Sequence, residues 1–418
     1  MRILIIGNGA REHALTWAIS QNPRCTEIYC SPGNAGTSML ATNVEIDITS
    51  NSKIIKMCKE YSIDIVVVGP EKQFEQGLTN ALREKKVLVF GPSMEASQLE
   101  TSKSFTKTMC KYKNIPTANY EIFSRSDDAR EFLKVQPKPY VIKADGLAAG
   151  KGVLVSSDFQ ESTQFINWIF DGKIGTRKNK VIIEEYLAGQ EMSVFFAIDR
   201  NTIKYIGSAQ DYKRAFDNDC GPNTGGMGAF SPSPLLTETN LDKIIRKIVK
   251  PTVEYMKEIG SEFSGILYAG LIFINGEPKL IEYNVRFGDP ECQALCIRLG
   301  AQILDIYFNG AKNELSNLSI NEANDSAVTV IVAEKGYPDN PKSGCELNDI
   351  VDTKYDSELK IFHAGTYFEN KSLRNTGGRI FSFTVRGTNL HEARTIAYKQ
   401  LNKIENPNIF FRTDIGRE

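Results

Sequence analysis

An Asn275-Gly276 dipeptide lies between two apolar runs of this 418-residue chain, in the stretch GILYAGLIFINGEPKLIEYNVRFGDPECQ at 265–293. Both central residues of a type I′ turn need positive φ, which asparagine and glycine tolerate, so the stretch predicts a tight β-hairpin. Side chains two positions apart on a strand share a face, so Glu282 and Asn284 on the outgoing strand point the same way. The charged, turn-rich run RFGDPE follows directly.

This hairpin predicts a metal site. A carboxylate and an amide oxygen side by side suit Mg²⁺ or Mn²⁺, and Mg²⁺ typically completes its shell with water and phosphate oxygens. We therefore predict Glu282 and Asn284 as ligands of a divalent ion. Arg286 can bind a carboxylate or a phosphate through its planar guanidinium fork. The alternative is an exposed strand with polar residues on its solvent face, but the RFGDPE run and the glycine loops upstream favour the site.

Residues 1–92 alternate short apolar strands with helices, which predicts a parallel sheet covered on both faces. Sheets of this kind bind ligands at the carboxyl ends of their strands. Three turn-rich loops are predicted there, and their residues are Gly7 and Gly9, then Gly33, Asn34 and Gly36, then Gly69-Pro70-Glu71.

The first of these loops departs from the dinucleotide-binding fingerprint G-x-G-x-x-G, because Glu12 stands where the third glycine belongs. This departure argues against NAD, although a helix N-terminus still suits an anion. We predict a small phosphate-bearing substrate at these loops. The alternative is a set of turn glycines with a structural role only.

A glycine-rich run, DGLAAGKG at 145–152, follows a predicted strand that ends in Lys143 and precedes a second strand at 153–156. Backbone N–H groups of such a loop can wrap a triphosphate. It is not a Walker A loop, because Lys151 is followed by glycine and the loop leads into a strand rather than a helix. We predict a flexible flap that closes over phosphates, whereas the alternative is an ordinary mobile hairpin.

Two further segments predict binding functions. The strand predicted at 181–185 runs into a short linker, whose backbone can offer a donor and an acceptor to an adenine edge, with Glu191 placed for ribose hydroxyls. The run 219–228 is dense in Gly, Pro and Asn. Its length without a helical or strand period predicts a functional loop. We assign Asn223, Thr224 and Gly225 in this loop to substrate binding.

Composition limits the possible classes of protein. The length implies about three domains. With 50 basic and 51 acidic residues, nothing favours a nucleic acid or an anionic membrane as partner. We expect neither a membrane span nor a signal peptide. Eight scattered cysteines without a Cys-x-x-Cys motif and three histidines predict a reduced, cytoplasmic protein whose catalysis does not depend on several histidines. His363, in the turn-like motif HAGT, is interpreted as a packed core residue.

Ten motifs match a known family in order along the whole chain, namely GNGAREHAL, PGNAGT, VVGPE, FGPS, IKADGLAAGKGV, IEEYLAGQE, QDYKRAFDNDCGPNTGGMGAFSPSP, IEYNVRFGDPECQ, FHAGT and TGGR. The chain resembles the phosphoribosylamine–glycine ligases, also called glycinamide ribonucleotide synthetases, which are ATP-grasp enzymes of de novo purine synthesis. RFGDPE followed by Gln293, together with GPNTGGMGA, is highly specific, whereas no single glycine loop is.

The resemblance implies a combined α/β and α+β fold. It implies a Rossmann-like domain with a parallel sheet at 1–102, an ATP-grasp domain at 103–316 with a mobile lid at about 121–189, and a small mixed α/β domain at 317–418. The implied reaction joins glycine to 5-phospho-β-D-ribosylamine and gives glycinamide ribonucleotide, ADP and phosphate through glycyl phosphate. The implied partners are these small molecules, with ATP and Mg²⁺ or Mn²⁺, and the protein is expected to be a monomer or a weak homo-oligomer.

The resemblance also implies roles for individual residues. The ATP contacts would be Lys103, Lys143, Gly146, Gly150, Lys151, Gly152, Glu184, Glu185, Leu187 and Glu191. The metal ligands would be Glu282 and Asn284. Arg286 and Asp211 would bind the carboxylate and the amine of glycine, and with Lys143 they form the predicted catalytic set. The loops with Gly7, Gly9, Gly33, Asn34 and Gly36 would face phosphoribosylamine.

The chain departs from the family pattern at several positions. Ala10 stands where the family usually has glycine, Tyr212 where it usually has histidine, and Phe216 where it usually has a small residue. Many ATP-grasp enzymes place a second acidic metal ligand on the strand before the hairpin turn. Residues 264–275 contain no acidic residue, so the predicted metal site is lean.

The sequence leaves two other hypotheses about the function open. One is a different ATP-grasp ligase with the same nucleotide-binding half, for example a carboxylase-type enzyme. The other is a dinucleotide-binding oxidoreductase or a non-catalytic nucleotide sensor. The missing third glycine and the lack of a histidine-based hydride site count against the oxidoreductase. The presence of Lys143, Glu282, Asn284 and Arg286 counts against the sensor.

Overall fold

Three larger β-sheets and two small hairpins organise the computed structural model, which describes residues 1–148, 150–175, 180–200, 202–321, 323–351 and 353–417. Ala149 of the glycine-rich run and residues 176–179 of the predicted lid lie outside the described residues.

The N-terminal sheet is parallel throughout. Its strands are β1 (Arg2–Gly7), β2 (Glu27–Pro32), β3 (Thr42–Asn43), β4 (Ile65–Val68) and β5 (Leu88–Val89), in the order β3-β2-β1-β4-β5. The helices between them are α1 (Ala10–Ser20), α2 (Asn51–Glu60), α3 (Glu71–Glu75) and α4 (Leu78–Glu84). Residues 3–6 are fully buried, which confirms the predicted double-sided cover. Gly77, which adopts a left-handed φ of 74°, separates α3 from α4.

The second sheet is antiparallel and carries the glycine-rich loop. Two helices, α5 (Gln98–Thr101) and α6 (Lys103–Lys113), lead to it. Its strands are β6 (Tyr120–Phe123), β7 (Tyr140–Ala144), β8 (Val153–Ser156) and β9 (Val181–Glu184), in the order β6-β9-β7-β8. Helices α7 (Ser126–Val135) and α8 (Phe159–Phe170) pack their apolar residues against it. The predicted strand–loop–strand is therefore present, with the loop between β7 and β8.

The third sheet is the largest and extends into the C-terminal part of the chain. The remaining strands are β10 (Gln190–Ile198), β11 (Ile203–Asp211), β12 (Arg214–Phe216), β13 (Cys220–Asn223), β14 (Gly228–Ser231), β15 (Gly265–Ile274), β16 (Glu277–Asn284), β17 (Ser326–Glu334), β18 (Leu359–His363), β19 (Thr366–Glu369), β20 (Ser372–Asn375), β21 (Arg379–Gly387) and β22 (Ile409–Phe410). The sheet runs β16-β15-β10-β11-β14-β17-β21-β18, and β22 pairs with β17. Because β14 pairs with β17, this sheet crosses the boundary predicted at residue 316, and the division into three domains stays a prediction.

The hairpin β15–β16 has the predicted type of turn, since Asn275 and Gly276 have φ values of 51° and 76°. The strands slip by one residue near the middle, because Gly270 pairs with Glu282 whereas Leu271 pairs with Leu280. Beyond this bulge Tyr283 is buried and its hydroxyl contacts Thr252 Oγ1 at 2.8 Å. Glu282 and Asn284 alternate with Tyr283 and therefore lie on the opposite face.

Helices of the second half of the chain cover the large sheet. They are α9 (Glu238–Ile244), α10 (Lys250–Glu258), α11 (Glu291–Leu299), α12 (Gln302–Lys312), α13 (Asn348–Val351) and α14 (Leu390–Leu401). A π-helical segment, Ile245–Val249, lies between α9 and α10. Pro251 follows in the first turn of α10 and has no N–H for the helical ladder. The run 219–228, predicted to lack strands, contains β13 and begins β14.

Two buried histidines join the N-terminal sheet to the C-terminal part. The backbone N–H of His363 donates to His13 Nδ1 at 2.9 Å, and His363 Nδ1 lies 3.0 Å from Thr366 Oγ1. Burial, with a smaller contribution from His363, lowers the pKa of His13 to about 3, and burial lowers the pKa of His363 to about 4. His363 is therefore a neutral packed residue, as the sequence predicted.

These histidines predict an acid-sensitive fold. Their folded pKa values lie below the unfolded value of 6.5, so the stability they contribute is present above pH 6.5 and is lost as the pH falls towards 4. Each should remove about 2 kcal/mol from the free energy of unfolding between about pH 6.5 and 4.5. Thermal unfolding across this range should give a shallower pH dependence for His13→Gln. His391→Gln is the control, since His391 is exposed, and an unchanged slope for His13→Gln would contradict the prediction.

Candidate active site

A cavity of about 1280 Å³ opens where the second and third sheets meet α6 and the C-terminal part of the chain. Most of the predicted site residues line it: Lys103, Lys143, Gly146, Gly150, Gly152, Glu184, Glu185, Leu187, Glu191, Asp211, Asn223, Thr224, Gly225, Glu282, Asn284 and Arg286. These residues come from sequence positions up to 183 apart, so the fold assembles one site from segments that the sequence analysis treated separately.

The base of the glycine-rich loop is held rigidly. Asp145 accepts hydrogen bonds from the backbone N–H of Ser104 at 3.1 Å and from its hydroxyl at 2.6 Å. The backbone N–H of Ala144 donates to Gly152 O at 2.8 Å, which closes the base of the loop. Lys103 Nζ lies 3.5 Å from Gly146 O. Lys151 is exposed and is not among the residues that line the cavity.

At the inner end of the cavity, one carboxylate holds two buried lysines. Glu184 Oε2 lies 3.0 Å from Lys143 Nζ and 3.1 Å from Lys107 Nζ. Burial lowers the pKa of Lys107, although Glu184 opposes this effect. Among the described residues Glu184 Oε1 is buried without a hydrogen-bond partner. This oxygen is a candidate acceptor for a ligand.

The linker after β9 also lines the cavity. The carboxylate of Glu185 is engaged with the backbone N–H and side-chain amide of Asn119, both at 2.9 Å, and with Lys279 at 3.5 Å. The backbone N–H of Glu185 also donates to Asn119 O at 2.9 Å, so its backbone carbonyl is the group left for the predicted role. Tyr186 and Leu187 line the cavity beside it.

The acidic residues of the opposite wall lie among lysines. Although burial raises the pKa of Glu282, the ammonium groups of Lys213, Lys103 and Lys143 hold it below its usual value. Lys213 Nζ is 2.5 Å from Glu191 Oε2 and 3.9 Å from Asp211 Oδ2. Glu282 is consequently an ionised carboxylate in a cationic surrounding.

Burial raises the pKa of Asp211 to about 7, although Lys213 opposes this effect. This carboxyl can therefore exchange a proton near neutral pH.

Arg286 is clamped between two carboxylates. Its Nε lies 3.2 Å from Glu71 Oε2, its Nη2 lies 2.8 Å from Glu100 Oε1, and its Nη1 donates to Phe287 O at 3.2 Å. Although burial raises the pKa of Glu71, Arg286 and Arg11 lower it to about 2. For Glu100 burial prevails and raises the pKa to about 7. The guanidinium thus lies on the cavity wall with its direction fixed.

The five predicted N-terminal loop residues, Gly7, Gly9, Gly33, Asn34 and Gly36, do not line the cavity. At the first loop, Glu12 Oε2 accepts from Gly9 N at 2.7 Å and Glu12 Oε1 accepts from Arg11 Nε at 2.7 Å. A Cβ added at Gly69 or Gly7 would overlap the Glu12 side chain. The carboxylate therefore fills the space that a dinucleotide pyrophosphate would need.

The second N-terminal loop is bound to the rest of the protein. The side-chain amide of Asn34 donates to His363 O at 2.7 Å and to Asn8 O at 2.9 Å. A Cβ added at Gly36 would overlap the ring of His13. These loops therefore support the junction with the C-terminal part, and their predicted contact with a substrate stays a prediction.

Several residues of the cavity wall were missed by the sequence analysis. They are Arg11, Glu100, Lys107, Lys213, Asp289, Glu291, Tyr337 and Arg417. Lys213 follows Asp211 by two positions, so motif position could have indicated it. Glu71, from the predicted loop Gly69-Pro70-Glu71, and Arg379 also line the cavity. Arg379 belongs to the TGGR motif; its Nη1 donates to Gly225 O at 2.7 Å and to Asp289 O at 3.0 Å. Glu100 and Lys107 carry no local signal.

Within the described ranges, no group of three or more His, Cys, Asp or Glu residues is arranged to hold a metal ion. The lean pair Glu282 and Asn284 is consistent with this finding. Over the same ranges, no helix is both long and apolar enough to cross a membrane.

Three family models cover most of the chain. They describe phosphoribosylglycinamide synthetase, with its N domain matching residues 1–100, its ATP-grasp (A) domain 101–292 and its C domain 327–418. The chain belongs to the phosphoribosylglycinamide synthetase family. The resemblance and the fold class drawn from the sequence are thereby confirmed. As a member of this family the chain is an ATP-dependent carbon–nitrogen ligase of purine biosynthesis.

Relatives of this synthetase family match along the full chain. A phosphoribosylamine–glycine ligase of Brucella melitensis is 42% identical over 416 residues, covering 100% of this chain and 97% of its own length. One of Agrobacterium fabrum is 43% identical, covering 100% and 98%. The crystal structure of a phosphoribosylamine–glycine ligase from Thermotoga maritima has a TM-score of 0.87 and 33% identity, and the match covers 99% of this chain and 100% of that one.

Two departures from the synthetase family pattern have a structural counterpart in this chain. The Tyr212 hydroxyl accepts from Gly416 N at 3.0 Å, and the Arg412 guanidinium lies 4.8 Å from the centre of its ring. The rings of Phe216 and Phe410 lie 5.9 Å apart. Both substituted aromatic residues thus contact the C-terminal segment.

The buried lysine pair gives a stability test for this synthetase. Glu184→Gln removes the one carboxylate that both lysines contact, which should lower the free energy of unfolding by about 3 kcal/mol and weaken ATP binding. Thermal unfolding and ATP titration measure the two effects. Glu185→Gln is the matched control, because that carboxylate is more exposed and should contribute less than about 1 kcal/mol. Equal unfolding temperatures for the two variants would contradict the assignment.

Proposed function

We propose that this chain joins glycine to 5-phospho-β-D-ribosylamine, with ATP bound between the glycine-rich loop and residues 282–286. The observation that carries the proposal is the pairing of Glu282 and Asn284 on one wall of the cavity with Lys103, Lys143 and the glycine-rich loop around it. An acidic ligand pair and basic residues around one space suit a metal–nucleotide complex. The product would be glycinamide ribonucleotide, released with ADP and phosphate.

ATP fits the residues present. The unpartnered Glu184 Oε1 can accept a hydrogen bond from the exocyclic amine of adenine, and the linker at 186–187 offers backbone groups to the ring edge. Glu191, beside Lys213, is assigned to the ribose hydroxyls. Lys103, Lys143 and the backbone of Gly146, Gly150 and Gly152 are assigned to the phosphates, and Lys151 projects from the same loop.

The metal is assigned to Glu282 and Asn284. Their carboxylate and amide oxygens are hard ligands of the kind that Mg²⁺ and Mn²⁺ take, and the low pKa of Glu282 keeps the carboxylate ionised. When bound, the ion would neutralise negative charge on the phosphate oxygens of ATP. Mg²⁺ or Mn²⁺ is proposed as this ion, and the enzyme is proposed to act in the cytoplasm as a monomer or a weak homo-oligomer.

Glycine is assigned to Arg286 and Asp211. A guanidinium carries five N–H groups, so the three contacts of Arg286 to Glu71, Glu100 and Phe287 leave donors for a substrate carboxylate. Asp211 would bind the glycine amine. Because its pKa lies at about 7, Asp211 can also hold or release a proton near neutral pH.

Phosphoribosylamine is assigned to the side of the cavity that adjoins the N-terminal loops. Asn223, Thr224 and Gly225 line this side. The loop with Gly7 and Gly9 is one layer further out, since a Cβ at Gly9 would lie 3.5 Å from Asp289 Oδ2, an atom of a lining residue. The loop with Gly33, Asn34 and Gly36 joins it through the hydrogen bond from Asn34 to Asn8 O. Their proposed role is to shape this side of the site.

The chemistry follows from the need to activate a carboxylate. A free carboxylate is a poor acyl donor, so a glycine oxygen takes the γ-phosphoryl group of ATP and ADP leaves. The nitrogen of phosphoribosylamine then attacks the acyl carbon, phosphate leaves, and the amine loses a proton. The task of the chain is to orient the reactants, balance charge and exclude water. Arg286 and Lys143 orient the carboxylate and the phosphates for the first step.

The experiment that tests the function is a coupled ADP-release assay with ATP, a divalent ion and glycine, with and without phosphoribosylamine. We expect sustained ADP release that needs both substrates and yields one glycinamide ribonucleotide per ADP. Release that is independent of glycine, or that needs bicarbonate instead, would overturn the proposal in favour of a carboxylase-type ligase.

Glu282 gives a residue-level prediction. Glu282→Ala should lower kcat by about 10²–10³-fold, because a ligand for the metal that balances phosphate charge is lost. The fold should persist, since Glu282 is only partly buried and lies on the strand face opposite the buried Tyr283. Glu277→Ala on the same strand is the control, because Glu277 is exposed and pairs with Lys243 and Lys247. Full activity of Glu282→Ala at saturating Mg²⁺ would refute the ligand assignment.

A further inference from the structure

The C-terminal strap, residues 411–416, is bonded to every residue of the turn between β12 and β13. The backbone N–H of Thr413 donates to Asp217 Oδ1 at 2.8 Å, and the Thr413 hydroxyl contacts the other oxygen of that carboxylate. Asn218 N donates to Asp414 Oδ2 at 2.9 Å. The third turn residue, Asp219, accepts from Arg412 Nη1 at 2.9 Å.

Arg412 is the centre of this contact. Its side chain is 1% exposed and binds Asp414 through Nε at 2.8 Å and Nη2 at 2.7 Å. Its Nη1 also donates to the backbone oxygen of Arg214, on β12, at 3.0 Å. The guanidinium plane covers the ring of Tyr212. A planar fork with five donors can make these contacts together, whereas a lysine ammonium cannot.

The hairpin β12–β13 needs such support. Its two strands are three and four residues long and pair with no other sheet. An isolated two-stranded hairpin is at best marginally stable in water. Its turn residues Asn218 and Asp219 have positive φ values of 56° and 51°, which non-glycine residues rarely adopt without compensation.

The strap itself is fixed to the body of the protein. Tyr398 on α14 donates its hydroxyl hydrogen to Arg412 O at 2.8 Å and accepts from Ile415 N at 3.0 Å. Arg394, one turn earlier, donates to Thr413 O at 2.8 Å. Ile415 is fully buried. The strap therefore links the hairpin to α14 through hydrogen bonds on both of its sides.

The hairpin carries cavity residues at its open end, opposite the turn, where Thr224 N donates to Lys213 O at 2.8 Å. Lys213 precedes β12, and Asn223, Thr224 and Gly225 end β13 or follow it. The Thr224 carbonyl oxygen faces the glycine-rich loop, since a Cβ added at Gly150 would lie 3.6 Å from it. The end of the hairpin thus forms the surface that Gly150 of the loop faces.

We propose that Arg412 is a positioning residue, which holds the hairpin β12–β13 so that the glycine-rich loop closes against Thr224 and excludes water from the acyl phosphate. This inference rests on the proposed function. If the hairpin loosens, water adds to the acyl carbon of glycyl phosphate, phosphate leaves and glycine is regenerated. One ATP is then spent without product.

The test compares ADP released with glycinamide ribonucleotide formed, together with kcat, the KM of each substrate and the unfolding temperature. Arg412→Lys keeps the charge but not the fork, and should raise the ratio of ADP to product from about one to two or more while increasing the KM for ATP several-fold. Asp217→Asn with Thr413→Ala loosens only the exposed tip of the hairpin and should raise the ratio in the same direction. Glu369→Gln is the control, because it removes an ion pair with Arg374 in the hairpin β19–β20, away from the cavity.

The outcomes separate the two proposals. A ratio of one in both strap variants, whether or not their unfolding temperature falls, would overturn the positioning role. If Arg412→Lys does not fold, the double variant Asp217→Asn with Thr413→Ala is decisive. A raised ratio of ADP to product in that variant would support the positioning role, and a ratio of one would overturn it. Failure of the wild-type enzyme to release ADP with glycine would instead overturn the proposed function.

Discussion

Buried and half-buried cations held by carboxylates from distant segments are the interactions on which the cavity depends. Lys143 and Lys107 share Glu184, Arg286 is shared by Glu71 and Glu100, and Arg379 lies 3.2 Å from Asp289. An unpaired buried charge is strongly destabilising, so each pair fixes both of its segments. Of these groups, only the one at the inner end of the cavity has two cations that share one carboxylate, because Lys143 and Lys107 both contact Glu184. This excess of one positive charge suits the phosphates of ATP.

The sequence predicted the structural features that depend on residues close together in the chain. Asn275-Gly276 specifies its turn because few other dipeptides tolerate two positive φ values, and the period of two then places Glu282 and Asn284 on one face. The run from Lys143 to Gly152 similarly encodes a strand, a loop and a strand. The order of the motifs along the chain indicated the family. Membership of that family led to the prediction that these segments meet in one nucleotide-binding site.

The rest of the site depends on contacts that no local pattern encodes. Glu100 lies in a four-residue helix and meets Arg286, 186 positions later, only because α5 packs beside β16. Glu12 could be recognised as a missing glycine, but its carboxylate's position between Gly7, Gly9 and Gly69 depends on the strand order β1-β4. Gly36 belongs to a loop with the composition of a binding loop, yet in the fold it packs against His13 and His363.

Tyr212 and Phe216 illustrate how a departure from a family pattern can be understood. Read along the chain, each is an isolated substitution next to a predicted site residue. In the fold Tyr212 contacts the C-terminal strap through Arg412 and Gly416, and Phe216 contacts Phe410, the residue that precedes the strap. A histidine at position 212 would offer a smaller ring to the guanidinium, and a small residue at 216 would leave Phe410 without its aromatic neighbour. The two residues therefore lie at one interface, between the hairpin β12–β13 with the residues that lead into it and residues 410–416.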